Sequence, residues 1–436
     1  MNFRKIIFYI NDAIRGGIIS KHLEDIDCIV KAPFSVSSKS KTEHRKNELF
    51  HHAVNNVAFY RNNLADKKLT LDSFPIINKN IIRNSIDEFI TDGVDKNSLF
   101  RLVTSGSTGT PFSVFQDFKK KSRNTADTIY FGKLAGFEIG IQLNYLKIWT
   151  NVNKKTNIQA WLENIEPIDV TQLSDHEIQK LVSKFKKYST PIAFLGYSSA
   201  LESICNFLER NEPNSQIKNV TGIIATSEGI SQYAKAALFD FFGKHPVSRY
   251  SNVENGILAQ QLSDGSDTFI INWASYNIEI LEIDTNNAVS IGESGRIVIT
   301  DYFNYAMPII RYDTGDIGTV DWDKNKEKLV LTKVEGRKMD MVFNTSGNLV
   351  SSFTITNNMW LYDEIKQYQF LQLDKTNYLF KLNLKGKFQR EEELISEFKK
   401  YFGIDAIIKV EYVDEIPLLN SGKRKKVINV MNLAPK

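Results

Sequence analysis

Apolar residues recur at helical spacing near the start of the chain. Within residues 43–63, five of them return at intervals of three and four: Leu49, Phe50, Ala53, Val54 and Val57. This pattern predicts a helix with one buried face. A second helix is predicted after Pro75, over the residues NKNIIRNSIDEFI. Residues 1–20 have a weaker amphipathic pattern that favours an ordinary surface helix over a membrane- or partner-binding one.

From about residue 100 the pattern changes to short β-rich runs separated by longer helical ones. The runs RLVT, FSVFQD, YLKIWT, IAFLG, TGIIAT and VSRYS alternate with SALESICNFLERN and SQYAKAALFDFFG. Such alternation is typical of a layered α/β domain. Past residue 270, FIINWAS, NIEILEID and GRIVITDY are spaced like hairpins. They predict an appended antiparallel β-subdomain.

The last hundred residues have a pattern of their own. YQFLQLD and YLFKLNLKG are predicted strands, EEELISEFKKYFG a helix and AIIKVEYVD another strand. A small unit of this kind can fold as an independent lid domain. We therefore predict an α/β protein with a large N-terminal nucleotide- and substrate-binding domain, residues 1–335, and a small α+β C-terminal lid, residues 336–436.

Composition narrows the class of protein. The 436 residues carry a net charge of only +4, which argues against a dedicated nucleic-acid-binding protein. The early polar residues Asn11, Asp12 and Arg15 interrupt any secretion signal, and no apolar run approaches the length of a transmembrane helix. Cys28 and Cys205 lie far apart, and both are expected to be reduced and buried. These features predict a cytoplasmic protein.

The stretch TSGSTGTP, residues 104–111, concentrates hydroxyl groups and glycines in one loop. Gly106 and Gly109 allow backbone angles that other residues resist, so successive N–H groups can form a nest for phosphate oxygens. No lysine follows Gly109, so the loop is not a P-loop of the Walker A type. Residue chemistry alone leaves two alternatives, a phosphate-binding loop and a plain polar turn.

Read with four later stretches, the loop is similar to the phosphate loop of adenylate-forming enzymes, the acyl-CoA ligase superfamily. The stretches are ATSEG (225–229), YSNVENG (250–256), IIRYDTGD (309–316) and EGRKMD (335–340), followed by IPLLNSGKRKK near the C-terminus. Their order resembles the branch of phenylacetate-CoA ligases and capsular-polysaccharide relatives of the CapK type. The resemblance extends from about residue 43 to residue 430.

The resemblance implies a role for each matching residue. Lys423 would be the catalytic lysine, and Glu254 the carboxylate linked to Mg²⁺. Asp316 would accept both ribose hydroxyls, and Arg337 would reach ribose or phosphate. The implied ATP- or AMP-binding residues are Thr104, Ser105, Gly106, Ser107, Thr108, Gly109, Ser227, Glu228, Gly229, Tyr250, Ser251, Asn252, Asp316 and Arg337. The implied substrate pocket contains Tyr197, Ser198 and Gly256.

The implied reaction joins a carboxylic acid to ATP, with Mg²⁺, to give an acyl-adenylate and pyrophosphate. A second nucleophile would then take the acyl group, and CoA, a carrier protein or an amine such as an amino sugar are all open. The capsular relatives imply a cell-surface polysaccharide pathway. Neither the acid nor the acceptor follows from the motifs.

Three departures from the family pattern matter. Thr110 stands where many members carry lysine, and Met339 replaces the acid of the hinge. Both keep open an alternative, a non-catalytic nucleotide-binding adaptor of the same fold. The segment between Asn252 and Glu279 lacks the cysteines and histidines that hold zinc in many phenylacetate ligases, so no zinc site is expected.

A serine hydrolase is the remaining alternative. IAFLGYSSALES predicts a strand, a tight turn at Ser198 and a helix, which approximates a nucleophile elbow. The only histidine after this serine is His245, which precedes Pro246 and has no acid in a matching context. This interpretation is therefore the weaker one.

Overall fold

The computed structural model describes residues 2–64, 68–104, 112–149, 155–325, 327–337, 342–350, 352–359, 361–362, 364–417 and 425–433. The chain divides into two compact units. The first comprises Met1–Thr104, Phe112–Thr314 and Thr319–Lys333; the second comprises Ser105–Pro111, Gly315–Gly318 and Val334–Lys436.

The described part of the chain forms the following α-helices: α1 Phe3–Ile14, α2 Ile18–Lys31, α3 Val36–Asn56, α4 Ala58–Leu64, α5 Lys79–Asn84, α6 Phe118–Leu134, α7 Asn157–Glu163, α8 Asp175–Lys187, α9 Ser198–Asn211, α10 Gln232–Phe242, α11 Ser352–Met359 and α12 Glu391–Phe402. The strands are β1 Phe100–Thr104, β2 Phe112–Gln116, β3 Gln142–Lys147, β4 Ile165–Asp169, β5 Ile192–Tyr197, β6 Val220–Thr226, β7 Val247–Asn252, β8 Gly256–Gln261, β9 Phe269–Ile271, β10 Tyr276–Leu281, β11 Ser294–Asp301, β12 Tyr312–Trp322, β13 Leu329–Arg337, β14 Val342–Phe343, β15 Leu349–Val350, β16 Ile365–Gln372, β17 Asn377–Leu384, β18 Ile407–Tyr412 and β19 Val427–Asn429.

A mixed sheet runs in the order β10-β11-β12-β13-β9-β8-β7-β6-β5-β3-β4. Strands β4, β3, β5, β6 and β7 are parallel to their neighbours, whereas β8 is antiparallel to both β7 and β9. The predicted α/β fold is thus confirmed. The hairpin-like strands past residue 270 are antiparallel, and they continue the same sheet.

Helices cover both faces of the parallel strands. On one face, α8, α9 and α10 pack against β5 and β6 through a large apolar core that includes Phe185, Phe194 and Leu208. On the other face, Ala135 at the end of α6 packs on Leu195, Ile224 and Val247. Because helices bury both faces of these strands, successive side chains are apolar whichever face they point to.

The N-terminal helices differ from the predicted ones at their ends. The helix predicted over 43–63 is broken at Val57, which has extended backbone angles and bridges to Thr91. The helix predicted after Pro75 is short, Lys79–Asn84, and ends at Ser85. Asparagine and serine compete with the helix through their own side-chain hydrogen bonds, so this composition shortens it.

Helix α1 turns an apolar face to solvent. Its side chains Phe3, Ile7 and Ile10 are exposed, and Asp12, on the inner side, accepts hydrogen bonds from the first turn of α2. None of the helices in the described ranges combines the length and apolar composition that a membrane crossing needs. The expectation of two buried cysteines was half wrong: Cys205 is buried, but Cys28 is exposed on α2.

The second unit has its own sheet, in the order β18-β17-β16-β19. Strands β16 and β17 form an antiparallel hairpin, and α12 packs on it through aromatic rings. Phe370 lies at the centre, within 5 Å of the ring centroids of Phe380 and Phe402. The strands and the helix predicted for the C-terminal hundred residues are all present.

A buried charge network joins α6 to the sheet in the first unit. The Lys120 ammonium lies 2.6 Å from the Asp301 carboxylate, and both side chains are inaccessible to solvent. Lys120 also donates to the Tyr276 hydroxyl at 3.0 Å, and Tyr276 donates to the Asn255 carbonyl at 2.5 Å. Removing one member of such a buried pair leaves the other charge uncompensated.

We therefore expect Lys120→Met to lower the free energy of unfolding by about 3–5 kcal/mol, measured by denaturant unfolding of the full chain. The matched control is Lys180→Met, which removes an exposed ion pair with Glu177 and should leave the free energy of unfolding nearly unchanged. Equal losses in the two variants would show that the buried pair has no special weight.

Candidate active site

The turn between β7 and β8 carries Glu254. The Asn252 side chain accepts a hydrogen bond from the Asn255 amide at 2.8 Å, which closes the turn in the manner of an Asx turn. Gly256 follows with φ +120°, and a Cβ atom there would lie only 2.8 Å from Oδ1 of Asn124. This position therefore requires glycine.

The Glu254 carboxylate is buried, with a side-chain exposure of 2%. Its Oε1 atom accepts a hydrogen bond from the Tyr312 hydroxyl at 2.9 Å. The same atom lies 2.8 Å from the Lys79 ammonium. Within the described residues, Oε2 has no hydrogen-bond partner. The contact with Tyr312 brings the YSNVENG and IIRYDTGD stretches together on one oxygen.

Lys79 reaches this carboxylate because the chain before α5 runs beside the start of β12. The Ile77 amide donates to the Arg311 carbonyl at 3.0 Å, and the Asp313 amide donates to the Ile77 carbonyl at 2.8 Å. Asn78 then caps α5 by accepting from the amides two and three residues on. Lys79 is consequently held in the first turn of α5, next to Tyr312.

Arg311 anchors the same segment. Its backbone has φ +51°, which is uncommon for a residue other than glycine. The guanidinium donates to both oxygens of Glu279, at 2.8 and 3.3 Å, and to the Phe74 carbonyl at 3.3 Å. Burial raises the pKa of Glu279, and Arg311 opposes that change. Arg311 thus serves the fold rather than a ligand.

The ATSEG stretch meets residues 196–201, GYSSAL, at the carboxyl ends of β6 and β5. Ser227 has a left-handed backbone, φ +73°. The Glu228 carbonyl accepts from the Ser198 hydroxyl at 2.8 Å, and the Glu228 carboxylate accepts from both the amide and the hydroxyl of Ser199. Ligands of open α/β sheets bind at such strand ends. Gly229 is exposed beside them.

These contacts give Ser198 a structural place. Its side chain is buried, and its hydroxyl hydrogen is donated to a backbone carbonyl. The ring of His245, the histidine required for a hydrolase, stacks on Phe239 with the centroids 4.2 Å apart. Neither residue is arranged as part of a nucleophile–base pair.

Tyr197 ends β5, and Tyr250 lies in β7, the strand on the other side of β6. The Tyr250 hydroxyl lies 3.4 Å from the Thr314 hydroxyl, which itself donates to the Ile297 carbonyl. Tyr197 accepts a hydrogen bond from the Ile148 amide, and burial raises the pKa of its hydroxyl. Ser251, next to Tyr250, is half-buried in β7.

Asp316 and Arg337 belong to the second unit, and most of the other remaining site residues lie outside the described residues. Asp316 is half-buried in β12. Thr104 ends β1 and Arg337 ends β13, and the backbone alone is described for both. The following lie outside the described residues: Ser105, Gly106, Ser107, Thr108, Gly109, Thr110, Met339 and Lys423. Their roles stay predictions.

The described residues contain no group of three or more histidine, cysteine, aspartate or glutamate side chains that could hold a metal ion. In the segment between Asn252 and Glu279, the side chains of Asn272 and Ser275 are used in contacts within the fold. Asn272 donates to the Ile257 carbonyl at 3.0 Å, and Ser275 donates to Asp127 at 2.9 Å.

The sequence did not predict the two residues that contact the Glu254 carboxylate, Tyr312 and Lys79. Tyr312 lies inside the IIRYDTGD stretch, but the resemblance implied a role only for Asp316 in that stretch. Lys79 lies in the predicted second helix and resembles any surface lysine. The one signal for Lys79 was its place in a stretch, FPIINKNIIRNS, that resembles the N-terminal region of the phenylacetate-CoA ligase branch.

Comparison with known sequences supports the resemblance. Residues 342–430 match the family model described as the CapK C-terminal domain. The chain is 23% identical over 409 residues to protein CapK of Staphylococcus aureus, with 88% of each chain covered. It is 22% identical over 410 residues to the phenylacetate-coenzyme A ligase of Aromatoleum evansii, covering 87% of this chain and 91% of the relative.

Comparison with solved structures supports the fold. A crystal structure of 2-hydroxyisobutyryl-CoA ligase in the postadenylation state matches with a TM-score of 0.70 at 13% identity, over 91% of this chain and 90% of the ligase. ATP-bound MatB from Rhodopseudomonas palustris matches with a TM-score of 0.56 at 14% identity, over 77% and 68%. In sequence the chain is therefore similar to CapK and to a phenylacetate-CoA ligase, and in fold it is similar to CoA ligases of known structure.

Proposed function

We propose that this protein activates a carboxylic acid with ATP, forms an acyl-adenylate and releases pyrophosphate. The observation that carries the proposal is the convergence on Glu254. Tyr312 from IIRYDTGD and Lys79 both contact its Oε1 atom, within 3 Å. Two stretches separated by more than fifty residues thus share one buried acid, as expected of one nucleotide site and not of two unrelated surface turns.

The relatives support the same reaction class. The relative from Aromatoleum evansii is a phenylacetate-coenzyme A ligase. The 2-hydroxyisobutyryl-CoA ligase was crystallised with the adenylate of its acid, and in another structure with the adenylate and CoA. ATP is bound in MatB. ATP is therefore the co-substrate that the fold supports.

The residues present fit a magnesium ion. Mg²⁺ in nucleotide sites is usually held by one or two carboxylates and by the phosphates, and it keeps several water molecules. Glu254 provides a carboxylate whose Oε2 atom has no hydrogen-bond partner in the described residues. Bound there, the ion would neutralise charge on the phosphates.

The chain itself has to bring two anions together. In the proposed step a carboxylate oxygen of the acid attacks the α-phosphorus, and the bond from that phosphorus to the oxygen bridging the β-phosphate breaks. Both electrons of the broken bond leave with pyrophosphate. Preorganised cations and N–H donors lower the barrier of such a step. Lys423 is proposed as such a cation, whereas the charge of Lys79 is already paired with Glu254 at 2.8 Å.

The fate of the acyl group is a separate proposal. Transfer to CoA is supported by the named activity of the relative from Aromatoleum evansii. A role in cell-surface polysaccharide formation is supported only by the likeness to CapK, and there an amine or a carrier would be the acceptor. The first half-reaction is common to all of these outcomes.

Exchange of labelled pyrophosphate into ATP tests the first half-reaction directly. The purified full chain is incubated with ATP, Mg²⁺ and one acid at a time, across aliphatic, aromatic, amino, uronic and dicarboxylic acids. Exchange that depends on the acid would support the proposal. Measurable ATP binding without exchange for any acid would favour the adaptor of the same fold instead.

Lys423→Ala should lower the exchange rate by about 10²–10³-fold with little change in ATP affinity, because one preorganised cation is lost from the transition state. Stopped exchange assays and equilibrium binding of ATP measure the two quantities. The control is Lys425→Ala, two residues away. An exchange rate in Lys423→Ala that equals the wild-type rate would remove this lysine from the mechanism.

Glu254→Gln should raise the Mg²⁺ concentration for half-maximal exchange by about tenfold or more, since the amide keeps the size of the side chain and loses its charge. A magnesium titration of the exchange rate measures the effect. Glu209→Gln makes the same change at an acid that accepts from Tyr233, and its titration curve should match the wild type. A Glu254→Gln curve that also matches would exclude Glu254 from metal binding.

A further inference from the structure

Two basic side chains near the carboxyl ends of the parallel strands lack a counter-ion. Lys147 ends β3, and Arg249 lies in β7, directly before Tyr250. Neither has a carboxylate within 4 Å in the described part of the chain. The most buried cations of the structure behave differently, since each has an acidic partner: Lys120 with Asp301, Arg123 with Asp25, Arg296 with Asp313 and Arg311 with Glu279.

A hydrogen bond holds the Arg249 guanidinium in place, but one of its N–H donors has no acceptor. Its Nε atom donates to the side-chain oxygen of Gln260 at 2.8 Å, the neighbour in register on β8. Its Nη2 atom is fully enclosed and has no hydrogen-bond partner. Burial lowers the pKa of Arg249 to about 10. A buried guanidinium donor without an acceptor is costly and is seldom retained without a function.

Lys147 lies against aromatic rings. Its ammonium is 4.1 Å from the ring centroid of Trp149 and 5.0 Å from that of Tyr145. The two rings pack edge to face, 5.4 Å apart. Burial lowers the pKa of Lys147, and Lys155 adds repulsion in the same direction. Lys155 is paired with Glu163, and among the described residues no acidic partner contacts Lys147.

Strand register places the two cations on the same edge. Tyr145, Leu195, Ile224 and Val247 pair across β3, β5, β6 and β7, so they share one face at one level. Lys147 and Arg249 lie two residues further toward the carboxyl ends of their strands, and alternation returns them to that face. Three strand spacings separate their Cα atoms by roughly 14 Å, within reach of two long side chains.

Tyr145 connects the two cations. Its ring lies against Lys147, and the positive charge of Arg249 acts on its hydroxyl. Below this layer, Leu195, Ile224 and Val247 form an apolar floor. The edge therefore combines an apolar floor, an aromatic wall and two positive charges. Glu228, the acid that follows β6, hydrogen-bonds to Ser199 instead.

We propose that Lys147 and Arg249 recognise a second anionic group, a carboxylate or a phosphate, on the acid that this protein activates. The inference rests on the proposed function, because the cluster adjoins Tyr197 and the turn that carries Glu254. A guanidinium and an ammonium together suit an oxyanion, and no carboxylate of the described residues contacts either Nη group of Arg249. The substrate is accordingly a dicarboxylic or phosphorylated acid and not a simple aliphatic or aromatic monoacid.

Pyrophosphate exchange in the absence of CoA tests this, using pairs of acids that differ by one anionic group. Suitable pairs are succinate and butyrate, glutarate and pentanoate, phthalate and benzoate, and 3-phosphoglycerate and glycerate. The dianionic member of at least one pair should have a kcat/KM about 10–100-fold higher, as expected for a hydrogen bond between charged groups. A preference for the monoanionic member of every active pair would overturn the inference while leaving adenylation intact. No exchange with any acid would overturn the proposed function as well.

The variants Lys147→Met and Arg249→Met assign the preference to these residues. Each should reduce kcat/KM for the preferred dianionic acid by about 10-fold or more and change that of its monoanionic partner by less than about threefold. Arg210→Met removes an exposed cation that pairs with Asp175, and it should change neither. If Arg249→Met does not fold, Lys147→Met and Arg249→Lys still decide, since the lysine variant should keep part of the preference.

CoA is the other source of anionic groups. Thioester formation at a fixed, saturating acid concentration gives the KM for CoA in each variant. We expect that KM to change by less than about threefold. A large rise in the KM for CoA, together with unchanged exchange, would assign the two cations to the phosphates of CoA and contradict the inference.

Discussion

The candidate site depends on one buried carboxylate. Glu254 lies in a tight turn, out of contact with water, and is tolerated there because Tyr312 and Lys79 both bind its Oε1 atom. An ionised carboxylate without such partners would be expensive to bury. Since the partners come from β12 and from the start of α5, the position of the acid ties three distant stretches together. Glu254 is therefore paired only when the turn, β12 and α5 are all in place.

The turn is also supported through Asn255, the residue that follows Glu254. The Asn255 carbonyl accepts from Tyr276, and Tyr276 accepts from Lys120. Lys120 in turn is paired with Asp301. This support leaves the backbone on either side of Glu254 little freedom to move. Preorganisation of this kind is how a site keeps its groups in place without reorganisation during the reaction.

Local pattern was sufficient to predict most of the fold, whereas the contacts of the candidate site depend on the fold itself. The parallel strands were predictable because IAFLG and TGIIAT are continuous apolar runs, the pattern that strands buried on both faces have. Strand β8 was missed because GILAQQ follows a turn whose role as a motif was more evident than its role in a hairpin. Strand β4 was missed because IEPID contains a proline and two acids. Its pairing with β3 is a tertiary contact that propensity does not report.

The basic residues on which the two proposals depend were not predicted, and all three were missed for one physical reason. Glu254 and Tyr250 stand in a motif whose order along the chain is itself informative. Lys79, Lys147 and Arg249 are single basic residues, and the sequence contains 55 lysines and arginines. What distinguishes them is the partner that each has or lacks: Lys79 has Glu254, whereas Arg249 has a glutamine and an unused donor. Which acid or amide a basic residue contacts depends on which strand ends meet, and the fold alone determines that.

The charges of the two neighbourhoods lead to different roles. At Glu254 the carboxylate and Lys79 cancel, so this region adds little net field and acts through geometry. At Lys147 and Arg249 no acid of the described residues compensates the positive charge, and in a partly buried place that charge acts strongly because water screens it poorly. ATP and an acid repel each other, so a cationic edge on the side of the acid would favour their encounter. A second anionic group on that acid would increase the attraction, which makes the edge a device of selection as well as of binding.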